Sequence, residues 1–376
     1  MHKPTRRGPP RFGDDVASVP DLGPSKIPAE IYTSPERYEL ERTRVLRDCW
    51  FIAERSERIP APGDFLVWEQ FGETVVIARQ EDGSAAAFHN VCQHRGARIA
   101  PASGHCDDTF VCPWHGWKHD LTGKVVAIPD WHDFERAEVT DVRSPRVAVE
   151  EWAGWIWIHL GGPEVAPPLA DYLGEVVAEL APYEMENMVL HATASWEMPA
   201  NWKAVTDAFL EVYHVAQTHR VTIGEALSVR DTAITLFDRH SMYVVPFTGH
   251  VERLRAEQEH QRDAISHYLV YPFSIFNCER YHIQAFTPVP TGPHSTRFLC
   301  WHLIQPGGDE RFLTEMDRSW DLFTRVAGED LYVAEQSGAT RQSMGYTRNL
   351  NNERECRITH LLNVMQEHIA KNEGTR

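Results

Sequence analysis

Cys92-Gln93-His94-Arg95-Gly96 and Cys112-Pro113-Trp114-His115-Gly116-Trp117, with seventeen residues between His94 and Cys112, decide how the rest of the chain is read. Each short loop offers one thiolate and one imidazole. Folded together, the loops can place both cysteines on one metal and both histidines on its neighbour. The competing arrangement is a single tetrahedral zinc ion closed by the same four side chains. Zinc fingers usually pair Cys with Cys and His with His in each half, whereas here each half is mixed.

The two loops resemble the Rieske pattern, including the glycines that let them wrap a 2Fe-2S cluster. In that centre two histidines replace two cysteines on one iron, which raises the reduction potential. The resemblance makes Cys92, His94, Cys112 and His115 the cluster ligands.

A chain of 376 residues is long enough for two domains with separate cores. Its formal charge of −17, from 37 basic and 54 acidic side chains, disfavours nucleic acid or an anionic membrane surface as a partner. No apolar run approaches the roughly 20 residues needed to span a bilayer, so the default expectation is a cytoplasmic protein. Seven cysteines, an odd number scattered over this length, do not form a disulfide framework. Cys49, Cys106, Cys278, Cys300 and Cys356 lack ligand-like spacing and read as small buried apolar residues.

Residues 1 to about 33 are rich in Pro, Gly and charge, and are expected on the surface or partly mobile. Ser34-Pro35-Glu36 opens a helix. From Trp50 the apolar period becomes two, with β-type runs at 65–68, 74–78, 124–128 and 155–159. The expected organisation is an arm and helix over 1–47, an all-β domain over 48–162 with the metal-binding loops at its tip, and a second domain over 163–376. The last is expected to be α+β, built on an antiparallel sheet with flanking helices. Its elements are a strand at 189–198, a helix from Asn201 to about His214, strands at 231–247, 268–276, 280–289 and 296–304, and helices at about 309–326 and 329–345.

A relay of single electrons does no chemistry on a substrate, so the second domain needs a centre of its own. His214 and His219 are five apart, about 140° round an ideal helix, so both can reach one ion only if the helix ends or loosens between them. Two histidines and a carboxylate make the facial triad of a non-haem Fe(II) oxygenase. Asp330 is the best carboxylate donor, with Glu329 its competitor.

The combination of the NWK start at Asn201, Tyr213-His214 followed by His219, and Asp330 followed by Glu335 resembles the catalytic α subunit of the Rieske non-haem iron aromatic ring-hydroxylating oxygenases. The likeness runs from about residue 28 nearly to the end. It implies a 2Fe-2S cluster, a mononuclear Fe(II) on His214, His219 and Asp330, and a homotrimer in which His115 of one subunit meets Glu211 of the next, which holds His214. It implies O2, a small-molecule substrate, and electrons from NAD(P)H through a separate reductase, with or without a ferredoxin or a β subunit. Family members often have Asn where this chain has Ala208. The expected substrate is a hydrophobic, aromatic or cyclic compound taking one or two oxygen atoms. Glu at the bridge also resembles the carnitine- and choline-type monooxygenases, which makes a quaternary ammonium compound the alternative. A bare Rieske electron carrier would need only Cys92 to His115.

Overall fold

Trp155-Ile156-Trp157-Ile158-His159 is buried at every position, which explains an unbroken apolar run where a one-sided strand would alternate. It lies inside a seven-stranded antiparallel sheet with the order Trp50–Arg55, Trp155–His159, Arg146–Trp152, Ala85–His89, Glu73–Arg79, Asp64–Gln70 and Gly104–His105. A three-stranded sheet of Thr109–Val111, Lys118–Asp120 and Val125–Ala127 completes this unit. The computed structural model describes residue 22, residues 25–136 and residues 138–371. Contacts divide it into this unit, Arg47–Tyr172, and a second made of Met1–Leu46 with Leu173–Arg376. Of the surface arm expected over residues 1 to about 33, residues 1–21, 23 and 24 lie outside the described residues.

Core side chains of the smaller unit deliver the metal-binding loops. Phe65 meets Phe110 edge to face at 4.9 Å, and both pack in one cluster with Phe88, Ile99, Trp117, Cys92 and Cys112. One loop follows the Ala85–His89 strand, and the other is the tip of the hairpin joining Thr109–Val111 to Lys118–Asp120.

The larger unit is a seven-stranded antiparallel sheet in the order Val189–Met198, Ser295–Ile304, His282–Gly292, Ser274–Cys278, Ala264–Val270, Ser241–Pro246 and Ala233–Leu236. The fold is α+β, as the succession of strand and helix patterns implied. Two expected strands are hairpins. The 231–247 segment turns where Phe237 N–H bonds the His240 carbonyl, and 268–276 turns at Pro272, which has no N–H to give a ladder. The two expected helices after residue 309 are one helix, Glu310–Arg341. Gly328 does not interrupt it, because a helical glycine costs only about 1 kcal/mol.

Residues read as part of a surface arm enter this unit. Ser25–Pro28 pairs antiparallel with Arg348–Asn351, a partner too distant in sequence for local pattern to reveal. Ser34 caps the Pro35–Arg44 helix, accepting from Arg37 N–H at 3.0 Å. From that helix the buried Glu41 receives Lys203 Nζ at 2.7 Å, Arg37 Nε at 2.9 Å and Trp202 Nε1 at 3.2 Å. The Trp-Lys of the NWK motif is thereby anchored.

Candidate metal centres

The two loops of the smaller unit repeat one backbone pattern. Gly96 N–H returns to the Cys92 carbonyl at 2.9 Å and Gly116 N–H to that of Cys112 at 3.0 Å, with glycine φ angles of 73° and 71°. A left-handed residue is needed at both turns, which suits glycine. Cys92 N–H bonds the Ala97 carbonyl and Cys112 N–H that of Trp117, each at 2.8 Å. Buried Asn90, which the sequence reading did not single out, pins the first loop. Its Oδ1 accepts from Ile99 and Ala100 N–H at 2.9 and 2.8 Å, and its Nδ2 donates to the Ala100 carbonyl at 2.7 Å.

Cys92 and Cys112 are free and buried. Burial raises the Cys92 thiol above its ordinary pKa, backbone N–H groups of His94 and Arg95 oppose that, and the hydrogen-bonded Cys112 thiol adds to it. His94 and His115 lie with ring centroids 4.5 Å apart, and Trp117 stacks on His94 at 5.0 Å and 3°. His94 Nδ1 is buried without a hydrogen-bond partner among the described residues. Burial, with His115 and Arg95, lowers that imidazole's pKa below its ordinary value, which favours the neutral form that binds metal. Two facing thiols, two adjacent imidazoles and an orphaned ring nitrogen fit a dinuclear centre with mixed ligands. His115 is exposed at its edge.

In the larger unit the helix expected to reach His214 stops at Phe209. The Glu211 carboxylate accepts from the backbone N–H of Tyr213 and His214, which holds the chain out of helical register. A separate turn, Val215–Thr218, then has His214 and His219 at its two ends. The loosening that five-residue spacing demands is therefore present. Asp330 comes from the Glu310–Arg341 helix and is buried.

His214 Nε2 lies 3.2 Å from His219 Nε2 and 3.3 Å from Asp330 Oδ1, and His219 Nε2 lies 2.9 Å from that oxygen. Ligand bonds of about 2.1 Å at right angles put neighbouring donor atoms roughly 3 Å apart. The triangle thus matches one face of an octahedron around a divalent ion. The opposite ring nitrogens are both held by carboxylates. Glu211 bonds His214 Nδ1, and Glu329 bonds His219 Nδ1 at 2.7 Å while accepting from Thr222 Oγ1 at 2.8 Å. Glu329 is therefore placed behind His219 and not at the third corner. Such carboxylate–histidine pairs fix the ring that ligates. Burial disfavours charge on His214, but Asp330 and Glu211 outweigh it and raise its pKa to about 10. A cation would occupy the field that otherwise holds that proton.

A cavity of about 100 Å³ opens beside the triangle, walled by Phe209, Val215, Ile223, Leu227, Tyr243 and Phe286 together with Ala208, His267 and Asn277. Leu210, Phe247, Phe273 and Phe276 do not line it.

A family model of the Rieske [2Fe-2S] domain matches residues 49–143, and one of the ring hydroxylating alpha subunit (catalytic domain) matches residues 185–371. The carnitine monooxygenase oxygenase subunit of Acinetobacter pittii (strain PHEA-2) is 30% identical over 211 residues, 56% of each chain. The biphenyl 2,3-dioxygenase subunit alpha of Rhodococcus jostii (strain RHA1) is 30% identical over 225 residues, 57% of this chain and 47% of that one. The chain thus spans about half the length of the curated relatives it matches. Among solved structures, the quaternary ammonium Rieske monooxygenase CntA in complex with L-carnitine superposes with a TM-score of 0.78 at 21% identity, over 97% of this chain and 100% of that one. Naphthalene 1,2-dioxygenase from Rhodococcus sp. bound to indole gives 0.73 at 19%, over 92% and 94%. At those identities the likeness is one of fold.

Proposed function

Because the chain belongs to the α subunits of the Rieske non-haem iron ring-hydroxylating oxygenases, we propose that it is an oxygenase component that adds oxygen from O2 to a small, largely hydrophobic substrate. Cys92, Cys112, His94 and His115 hold a 2Fe-2S cluster, and His214, His219 and Asp330 hold Fe(II). When bound, the cluster supplies single electrons and the ion supplies open positions for O2. Glu211 and Glu329 orient the two histidines, and the apolar wall beside them excludes water. Electrons come from NAD(P)H through a separate reductase, with or without a ferredoxin. The chain works as a homotrimer, in which Glu211 joins His214 to His115 of the neighbouring subunit.

The observation that carries this reading is the triangle of donor atoms with edges of 2.9–3.3 Å beside an apolar cavity. An electron carrier has no use for it. Aromatic and cyclic compounds fit the cavity wall. A quaternary ammonium substrate is the second reading, favoured by Glu211 at the bridge and by Phe286 as a face for a cation. Iron analysis tests the oxygenase reading, with about three irons per chain expected for a cluster plus a mononuclear site. Substrate-dependent oxygen uptake with a surrogate reductase, across aromatic, terpenoid, steroid and quaternary ammonium compounds, tests the activity. Two irons per chain and no uptake would leave only the carrier.

A further inference from the structure

Tyr243, His267 and Asn277 stand opposite one another on three adjacent strands, in the pairs Tyr243 with His267 and His267 with Asn277. All three line the cavity beside the candidate iron site. Behind this row lies Arg357, from the Cys356–Lys371 helix, which is fully buried. Its Nε donates to Ser241 Oγ at 3.0 Å, its Nη2 to the Ser241 carbonyl at 3.2 Å and its Nη1 to His267 Nδ1 at 3.3 Å. The Tyr243 ring lies under the guanidinium carbon at 4.8 Å. No carboxylate among the described residues forms an ion pair with Arg357. Burial pulls its pKa down to about 10, so it stays cationic at neutral pH.

A guanidinium only donates, so Nδ1 of His267 must accept, and the ring proton sits on Nε2. Burial, reinforced by the Arg357 charge, keeps this imidazole from taking a second proton. His267 is 2% exposed, and its Nε2 has no hydrogen-bond partner among the described residues. A buried N–H left without an acceptor is costly to the fold, and here it belongs to a residue of the cavity wall. Tyr243 stacks on His267 at 4.6 Å and 14°, and Phe286 meets it edge-on at 5.8 Å, so aromatic rings pack against the imidazole from two sides.

We propose that His267, held by Arg357, is the substrate-positioning donor of the cavity, and that the substrate presents a carboxylate oxygen to its Nε2. The proposal rests on the oxygenase reading and narrows it. The substrate has a hydrophobic or ammonium-bearing body with an anionic end, which points at His267 while the carbon to be oxidised faces the histidine–aspartate triangle. The carboxylates of Asp330 and Glu211 lie at the histidine end of the cavity, so at the Arg357 end a buried cation with no ion-pair partner among the described residues favours an anion over a neutral acceptor.

Equilibrium binding to the iron-loaded protein, without reductase or turnover, compares benzoate with toluene and γ-butyrobetaine with butyltrimethylammonium. In at least one pair the carboxylate member should bind about tenfold tighter or more. That preference should shrink to within about twofold in His267→Phe and survive in part in His267→Gln, which keeps an N–H donor. Iron content and cluster absorption, measured on each variant, report on the fold and on the oxygenase reading separately. The proposal is overturned if both carboxylate-free members bind as well as their partners, if neither carboxylate binds at millimolar concentration, or if His267→Phe keeps the preference with its iron intact.

Discussion

At single positions the structure separates the roles of carboxylates that stand side by side in the sequence. Asp330 faces both Nε2 atoms, whereas Glu329 holds only His219 Nδ1. Asp330→Ala should therefore lose the mononuclear iron and keep the cluster, while Glu329→Ala should keep the iron with an affinity lower by roughly 10–100-fold. Metal titration followed by iron analysis distinguishes the two, and the reverse ranking would exchange their roles. Glu211 bonds the outer nitrogen of His214 and supplies no corner of the triangle. Glu211→Gln is expected to bind both metals normally and to form product roughly 100-fold more slowly. Full turnover in that variant would take Glu211 out of the electron route.

Among the elements, the Pro35–Arg44 helix is held by a buried ion pair in which Lys203 and Glu41 are 1% and 0% exposed. Removing one partner strands the other charge in the interior. Glu41→Ala should cost about 3–5 kcal/mol, read as a lower urea midpoint, and an unchanged midpoint would deny the pair its anchoring role. The motif stretches were legible in the chain because their chemistry is local. The mixed Cys/His loops, the Ser34 cap and the strand at 189–198 are all specified by neighbours within a few residues. The limits of the His214 helix were not, because the side chain of Glu211 competes with the helix for backbone donors. Neither Ser25–Pro28 as a strand nor Glu329 behind His219 could be read, since each is defined by a partner more than 100 residues away.

On the scale of the whole molecule, the proposed trimer separates the two centres used in one turnover between neighbouring chains. Cys112→Ser should abolish the cluster and Asp330→Ala the mononuclear iron, each leaving an inactive homotrimer. Co-expressed, the two variants should regain part of the oxygen uptake, because one chain can lend its cluster to the other's iron. Mixed trimers with no uptake would place both centres of a working pair in the same subunit. The division into units also bears on biosynthesis. Arg47–Tyr172 is one uninterrupted stretch, so all of its residues are made before the ribosome reaches Leu173. The other unit joins Ser25 to Thr359, 334 residues apart, through a hydroxyl contact of 2.6 Å, and it has to wait for translation to reach its closing strand and helix. Nascent chains would then complete the two Cys/His loops before the unit that holds the histidine–aspartate triangle can close.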